Sequence, residues 1–423
     1  MNRIIFLALA ALLVHVGHAE AQDANPYVEG AGVRVGEGTV LHPILGLESG
    51  VVQNVFYEEN DTKASGILRI LGQISVGSLP AERMQMPQET DPDTKNFGDL
   101  AFRGDAALMY EQYLSGNDRV LNQGGLSADL MAQGIVFPKQ TWQFAFRDEF
   151  IRSIRPTNFE SDSNLRRDVN HLNLDLRFRP IGRTIHWSLG YSNRIDHFED
   201  SRQQFADRIL HRGHFRLTYQ WLPITQLYGD VSLGYSGPLG DASTRPTSYP
   251  LKAYAGIATA LTVKTNLNAR VGFGKGFYSD TDFTNIVGRV QLSYRPSPEV
   301  RLSGMYEYDF EDSINANFYR DHAIAFRADY RRNRLTINGM TELRFRAYRQ
   351  VIAEVMSAER DRNDVIFAVG AGMIYNFKNW IAATLDYNLT LDQTDFRYMA
   401  DATTLDDPSF VRQVVLLGVR AAY

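Results

Sequence analysis

Basic and acidic side chains recur two residues apart along this chain, as in Arg103 and Asp105, Arg147 and Glu149, Asp175 and Arg177, Arg327 and Asp329, and Glu342 and Arg344. Side chains two apart on a β-strand point to the same face. Residues placed this way could pair with opposite charges on neighbouring strands and stiffen a wall. They could equally filter solutes inside a charged channel. Both signs are interspersed, which favours mutual neutralisation. A wall of that kind suits hydrated, hydroxyl-rich solutes and does not select strongly between ions.

Other chemistry is sparse. His211 and His214 have opposite strand parity and cannot share a site face, and His171 and His186 have no serine or carboxylate at a suggestive spacing. The adjacent carboxylates Glu58-Glu59 and Asp406-Asp407 fall in polar loops, where solvation accounts for them. Asp91-Pro92-Asp93-Thr94 hints at calcium but lacks the glycine and the distal glutamate of a known calcium loop. Gly272-Phe273-Gly274-Lys275-Gly276 sits within a strand pattern and not before a helix, so it does not read as a phosphate loop. Cysteine is absent, which excludes thiolate nucleophiles, thiolate metal sites and disulfides. Nothing meets the geometric requirements of an active site, so no enzyme, cofactor or metal is expected.

The elements that carry the charges repeat from about Pro43 to Tyr423. Segments of roughly ten residues alternate apolar and polar. Leu172, Leu174, Leu176 and Phe178 alternate with His171, Asn173, Asp175, Arg177 and Arg179. One face of such a strand could sit in lipid and the other could not. Strands are expected to begin near 43, 66, 99, 123, 141, 169, 184, 210, 226, 250, 267, 285, 301, 321, 335, 364, 380 and 410. That is about 18 strands, an even number, as bacterial outer-membrane barrels have. The fold class is therefore all-β, a single transmembrane antiparallel β-barrel.

The connections alternate in length. Short turns are expected at Pro138-Lys139-Gln140, Pro180-Ile181-Gly182-Arg183, Pro223-Ile224-Thr225, Lys264-Thr265-Asn266, Pro296-Ser297-Pro298, Arg332-Asn333 and Lys378-Asn379. Longer polar loops fall at 155–168, 196–208, 237–248, 349–363 and 392–409. Short turns belong to the periplasmic side and long loops to the outside, so the chain is oriented as well as classified. The connection 80–97 breaks the rule, being long where a short periplasmic turn is due.

The polar face defines the expected channel lining: Arg69, Arg103, Asp105, Arg147, Glu149, Asp175, Arg177, Arg216, Asp230, Arg270, Arg289, Glu307, Arg327, Asp329, Glu342, Arg344, Asp386 and Arg420. Arg194, Arg346, Arg412, Glu111, Asp129 and Asp309 share that parity. Aromatic residues gather at strand ends as two interfacial girdles. Trp142, Phe178, Trp221, Tyr294, Tyr330, Phe377, Trp380 and Tyr423 mark the short-turn end, and Phe150, Tyr191, Tyr235, Tyr308 and Tyr387 the long-loop end. The last strand carries Val415, Leu417, Val419, Ala421 and Tyr423 outward.

Composition agrees with an exported barrel. Mean hydropathy is −0.28 because apolar and polar positions cancel. After the N-terminus no run approaches the ~18–20 apolar residues of a transmembrane helix. The net charge of −5 gives no basic bias towards nucleic acid. Arg3, the apolar run Ile4 to Val14 and Ala19-Glu20-Ala21 read as a secretory signal cleaved before Gln22. The expected organisation is a signal peptide over 1–21, a periplasmic segment over 22–40 and an outer-membrane barrel over 41–423.

His42-Pro43-Ile44-Leu45-Gly46-Leu47-Glu48, running on to Gln53-Asn54-Val55-Phe56-Tyr57, resembles the first strand of outer-membrane beta-barrel porins of the second type. The chain is also similar in size and strand count to barrels associated with exopolysaccharide export in Gram-negative bacteria. The C-terminal strand resembles the recognition strand of outer-membrane barrels, and Tyr423 would be read by the barrel-assembly machinery. The resemblance implies a channel in the Gram-negative outer membrane, surrounded by outer-membrane lipid. Its first cargo reading is a secreted polysaccharide, passed from a periplasmic polysaccharide export protein docked on 22–40 and 80–97. General diffusion of small hydrophilic solutes is the alternative, and a structural or adhesive barrel presenting its loops is the third.

Overall fold

Lipid offers no partner to a backbone N–H or C=O, so strands can cross a bilayer only when every edge is paired. The computed structural model describes residues 30–36, 39–59, 62–78, 99–154, 166–243, 246–278, 282–313, 316–351, 361–399, 405–406 and 408–423. Within them runs a sheet of 19 strands. In chain order the first strands are β1 (Val33–Gly36), β2 (Thr39–Gln53), β3 (Ser65–Gly77), β4 (Leu100–Leu114), β5 (Gly125–Val136), β6 (Trp142–Ser153) and β7 (Arg167–Phe178). Then come β8 (Ile185–Phe198), β9 (Arg208–Leu222), β10 (Thr225–Pro238), β11 (Leu251–Thr262), β12 (Thr265–Phe277) and β13 (Asp282–Ser297). The series ends with β14 (Val300–Asp312), β15 (Ala316–Arg332), β16 (Leu335–Val351), β17 (Asp361–Lys378), β18 (Ile381–Thr394), the small hairpin β19 (Tyr398–Met399) and β20 (Leu405–Asp406), and β21 (Phe410–Ala422).

Each strand from β2 to β18 pairs antiparallel with the next, β18 pairs with β21, and β21 closes the ring on β2 from Ile44↔Ala422 to Gln53↔Gln413. Among the described residues β1 is the one strand of this sheet outside the ring, leaving 18 strands in the barrel, and β19 and β20 pair apart from it. β1 pairs with the start of β2, Val33 facing Leu41. Strands of 12 to 18 residues exceed the roughly 9–11 needed to span a bilayer, so the wall extends beyond the lipid.

The alternation shows as exposure. On β21, Val415, Leu417 and Val419 are 40%, 62% and 48% exposed, whereas the intervening Val414 and Leu416 are buried. Two-residue turns join β9 to β10, β11 to β12, β13 to β14, β15 to β16 and β17 to β18, all at one end. Asn333, with φ of 53°, takes the left-handed conformation that such a turn requires. The turn after β11 is Val263-Lys264 and Thr265 already belongs to β12; likewise Pro296 and Ser297 remain in β13. Backbone pairing runs further into the turns than proline and asparagine punctuation suggests. Residues 1–21, expected from sequence to be a signal peptide, and the connection 80–97 lie outside the described residues.

At the opposite end some chain folds back onto the inner face. A short helix, α1 (Asp118–Leu121), is capped by the Asn117 side chain, which accepts from the Arg119 amide. Val120 of α1 joins Val55 and Phe56 of the β2–β3 loop against Val52, Ile67, Tyr113, Val414 and Leu416, a small apolar core on the inward parity. One pairing is incomplete. β13 and β14 pair up to Gly288↔Tyr308, while β12 follows β13 to Asp282 and β15 follows β14 to Asp312. The outer ends of β13 and β14 thus part from each other. Phe283, Phe310, Phe318 and Tyr278 pack together there, with Phe283 and Phe318 stacked at 4.0 Å and Phe283 edge-on to Phe310 at 4.8 Å.

The inner wall as candidate functional site

Each of the 18 residues expected to line a channel stands on the strand face opposite the exposed apolar one. Arg69 lies between exposed Ile70 and the outward neighbours of β3, Arg216 between exposed Phe215 and Leu217, Asp230 beside exposed Val231, and Arg289 beside exposed Val290. The residues then sort into clusters around the ring.

Across the closure, Arg420 of β21 reaches Glu48 of β2 at 2.9 Å, Glu48 lies 3.8 Å from Arg69 of β3, and Arg69 reaches Glu111 of β4 at 2.7 Å. Four adjacent strands alternate in charge. Arg103 and Asp105 pair along β4 at 2.5 Å. On β6 to β9, Arg147 pairs with Glu149 at 3.0 Å, and Asp175 is shared by His214 at 3.0 Å and Arg177 at 3.6 Å. Asp196 takes Arg194 at 3.1 Å and Arg208 at 2.5 Å.

On β15 to β18, Asp321 receives Arg344 and Arg346, each at 2.8 Å. Arg344 also pairs with Glu342, and Arg362 pairs with Asp364 at 2.7 Å. Arg327 and Asp329 pair along β15 at 2.9 Å. On β11 to β14, Lys252 sits 2.8 Å from Asp309 and 2.9 Å from Glu311, and Arg270 lies 3.2 Å from Glu307. Desolvating a charge costs several kcal/mol unless its partner and its hydrogen bonds are in place. Interleaving the two signs on adjacent strands supplies those partners.

Sequence reasoning missed some of this wall. Glu48, Lys252, Asp321, Arg362 and Asp364 carry pairs that were not singled out. Glu48 was readable, since it alternates with Leu45 and Leu47. Lys252 was not, because β11 is rich in alanine, glycine and threonine on both faces and its alternation is faint. Aromatic residues also face inward. The Arg216 guanidinium lies 4.2 Å over the Tyr228 ring, Arg270 lies 4.5 Å over Tyr254 and Arg346 lies 3.9 Å over Tyr319. Reading aromatics only as girdle residues conceals these.

The outward face bounds the lipid band. Trp142 and Phe144 of β6 are exposed, but Asp148 on the same parity accepts from the Asn170 amide at 3.0 Å, and Arg152 pairs with Glu199 at 2.5 Å. Apolar surface on β6 therefore stops short of its long-loop end. At a comparable place Tyr191 meets His211 at 2.8 Å, and Tyr306 meets His322 at 2.9 Å, so the long-loop girdle joins tyrosine to histidine.

No family model matches the chain, and no curated protein matches it. Among solved structures it is similar to the outer membrane protein opdK from Pseudomonas aeruginosa, with a TM-score of 0.45 and 11% identity over 90% of this chain and 99% of that one. It is similar to Pseudomonas aeruginosa OccK5 (OpdH), with a TM-score of 0.45 and 10% identity over 92% and 99%. It is also similar to the siderophore receptor PirA from Pseudomonas aeruginosa, with a TM-score of 0.40 and 9% identity over 90% and 80%. What the chain is follows from its own geometry. An even-stranded closed ring, an outward apolar band between aromatic girdles, a polar interior and short turns at one end make it a β-barrel of the Gram-negative outer membrane.

Proposed function

We propose that this barrel is a general diffusion channel for small hydrophilic solutes. The carrying observation is the inner wall, where guanidinium and carboxylate groups of neighbouring strands neutralise one another on an 18-stranded ring. Rings of 16 to 18 strands are wide enough to leave an aqueous passage. A wall of paired charges presents hydrogen-bonding groups to a solute without a strong field of one sign. The residues expected from sequence to line the channel would line it here, with Lys252, Tyr228 and Tyr254 added.

Polysaccharide export takes second place. Its specific supports were 80–97 and 22–40 as docking segments for an export protein, and most of both lies outside the described residues. A mixed wall serves short solutes as well as polymers and does not favour the polymer. Planar-bilayer recording of the purified protein tests the channel reading. Discrete current steps with a reversal potential near zero in a potassium chloride gradient are expected. A protein that inserts and shows no steps would instead be a structural barrel.

A further inference from the structure

We infer that Arg289, together with Arg270, forms a luminal binding site for the carboxylate of a small monoanionic solute; the inference rests on the channel reading. The site begins with an imbalance in register. Arg270 of β12 and Arg289 of β13 are direct cross-strand partners, and Glu307 of β14 is the partner of Arg289 on its other side. Like charges placed directly opposite one another are unfavourable. Glu307 does not relieve the nearer arginine. It reaches past β13 to Arg270, at 3.2 Å. Arg289 donates to the neutral Gln291 carbonyl oxygen at 2.9 Å, and among the described residues no carboxylate lies within ion-pair distance of it.

Arg270 keeps capacity as well. Its guanidinium lies 4.5 Å from the centre of the Tyr254 ring, and Nη2 is the nitrogen that meets Glu307. Tyr254 is fixed in turn by its hydroxyl, which donates to Asp309 at 3.1 Å. Two guanidinium groups on adjacent strands therefore stand beside one carboxylate that pairs with only one of them. Elsewhere on the wall two arginines also converge on one acid, as Arg194 and Arg208 do on Asp196, but there both of them reach it. A guanidinium fork matches a carboxylate or a phosphate in geometry. Glu307 decides between them. A monoanion brings the cluster to two positive and two negative charges, whereas a phosphate monoester dianion leaves an excess of negative charge there and gives up more hydration on entering.

Current block in planar bilayers tests this, with gluconate, glucose 6-phosphate and glucose as probes. In the wild-type channel gluconate should block at lower concentration than glucose 6-phosphate, and glucose should not block. Arg289→Gln should weaken the gluconate block about tenfold, the cost of losing one charge-assisted hydrogen bond. Arg289→Lys should restore part of it, since charge returns without the fork. Each variant is first shown to run as a folded barrel before heating. Unchanged gluconate block in Arg289→Gln, or equal block by glucose, overturns the site and leaves the channel standing. Absence of current steps from the wild type overturns both.

Discussion

Arg69 and Glu111 meet across β3 and β4 at 2.7 Å, with side chains only 4% and 0% exposed. The contact continues through Glu48 to Arg420, which crosses the closure of the barrel. Arg420 and Glu48 are 372 residues apart in sequence, so the seam brings together the two most distant strands of the ring. A one-residue slip there would turn every side chain of β21 to the wrong face. Alternating charges on β21, β2, β3 and β4 reward one register over its neighbours.

Glu111→Gln should therefore destabilise the barrel by about 3 kcal/mol, because the buried Arg69 would lose its nearest carboxylate and be left with Glu48, at 3.8 Å and shared with Arg420. Replacing both, as Arg69→Met with Glu111→Leu, should cost much less, since no unpaired charge remains. Urea unfolding from lipid vesicles measures both. Equal losses for the single and double variants would show that the pair is not what matters at this seam.

Val231 and Ser232 are consecutive residues of β10 on opposite faces, and Val231 is 48% exposed among the outward apolar side chains. Val231→Arg should cost about 2–4 kcal/mol in lipid, as arginine does near the midplane of a barrel wall. Ser232→Arg should leave stability nearly unchanged and shift the reversal potential towards anion preference. If the two variants behaved alike in stability, the assignment of lipid and lumen faces would fail.

Most of the ring was legible because its physics is local. Alternation on β7 from Leu172 to Phe178 needs only a lipid face and a water face, and it fixes parity without knowledge of any neighbour. Cross-strand partnership is a different matter. Nothing near Arg270 in sequence says that Arg289 will stand opposite it, or that Glu307 will reach over β13. The same limit hides Lys252, whose partners lie 57 to 59 residues away on a strand three places around the ring. Tyr228 and Tyr254 were obscured for a further reason, since an aromatic ring suits a membrane interface and a guanidinium face equally well.

Tyr423 is 69% exposed at the short-turn rim, and its amide donates to the Pro43 carbonyl at 3.1 Å. The ring is thus outside the packed wall while the backbone is inside the seam. On the proposal that this ring is read by the assembly machinery, Tyr423→Ala should lower the amount of folded barrel in cells several-fold. Refolding of the purified variant into detergent should proceed as in the wild type. A parallel loss in both settings would mean that Tyr423 acts through stability.

Lys252 fills the place of a missing strand edge. Above Tyr308, β14 no longer pairs with β13, and the Phe310 carbonyl accepts from Lys252 Nζ at 2.7 Å where a backbone amide would otherwise serve. The same ammonium group pairs with both Asp309 and Glu311, and it lies 4.6 Å over the Phe310 ring. Phe310 is 1% exposed within the aromatic cluster that fills the gap between the two strand ends. Lys252→Met keeps the aliphatic stem but takes the ammonium from the Phe310 carbonyl and from both carboxylates, leaving Asp309 with Tyr254 and Glu311 with Arg212, so the end of β14 should open while the lower ladder, from Gly288↔Tyr308 to Tyr294↔Leu302, holds. Phe310→Ala should open the same place by removing the filler. Hydrogen exchange should rise by about tenfold or more at residues 309–312 in both variants, the equivalent of roughly 1.4 kcal/mol of local stability, with little change on β3 or β21. Exchange that rises uniformly around the ring would mean that Lys252 supports the barrel as a whole, and exchange that does not change would mean that the β14 end is held by its β15 pairing alone.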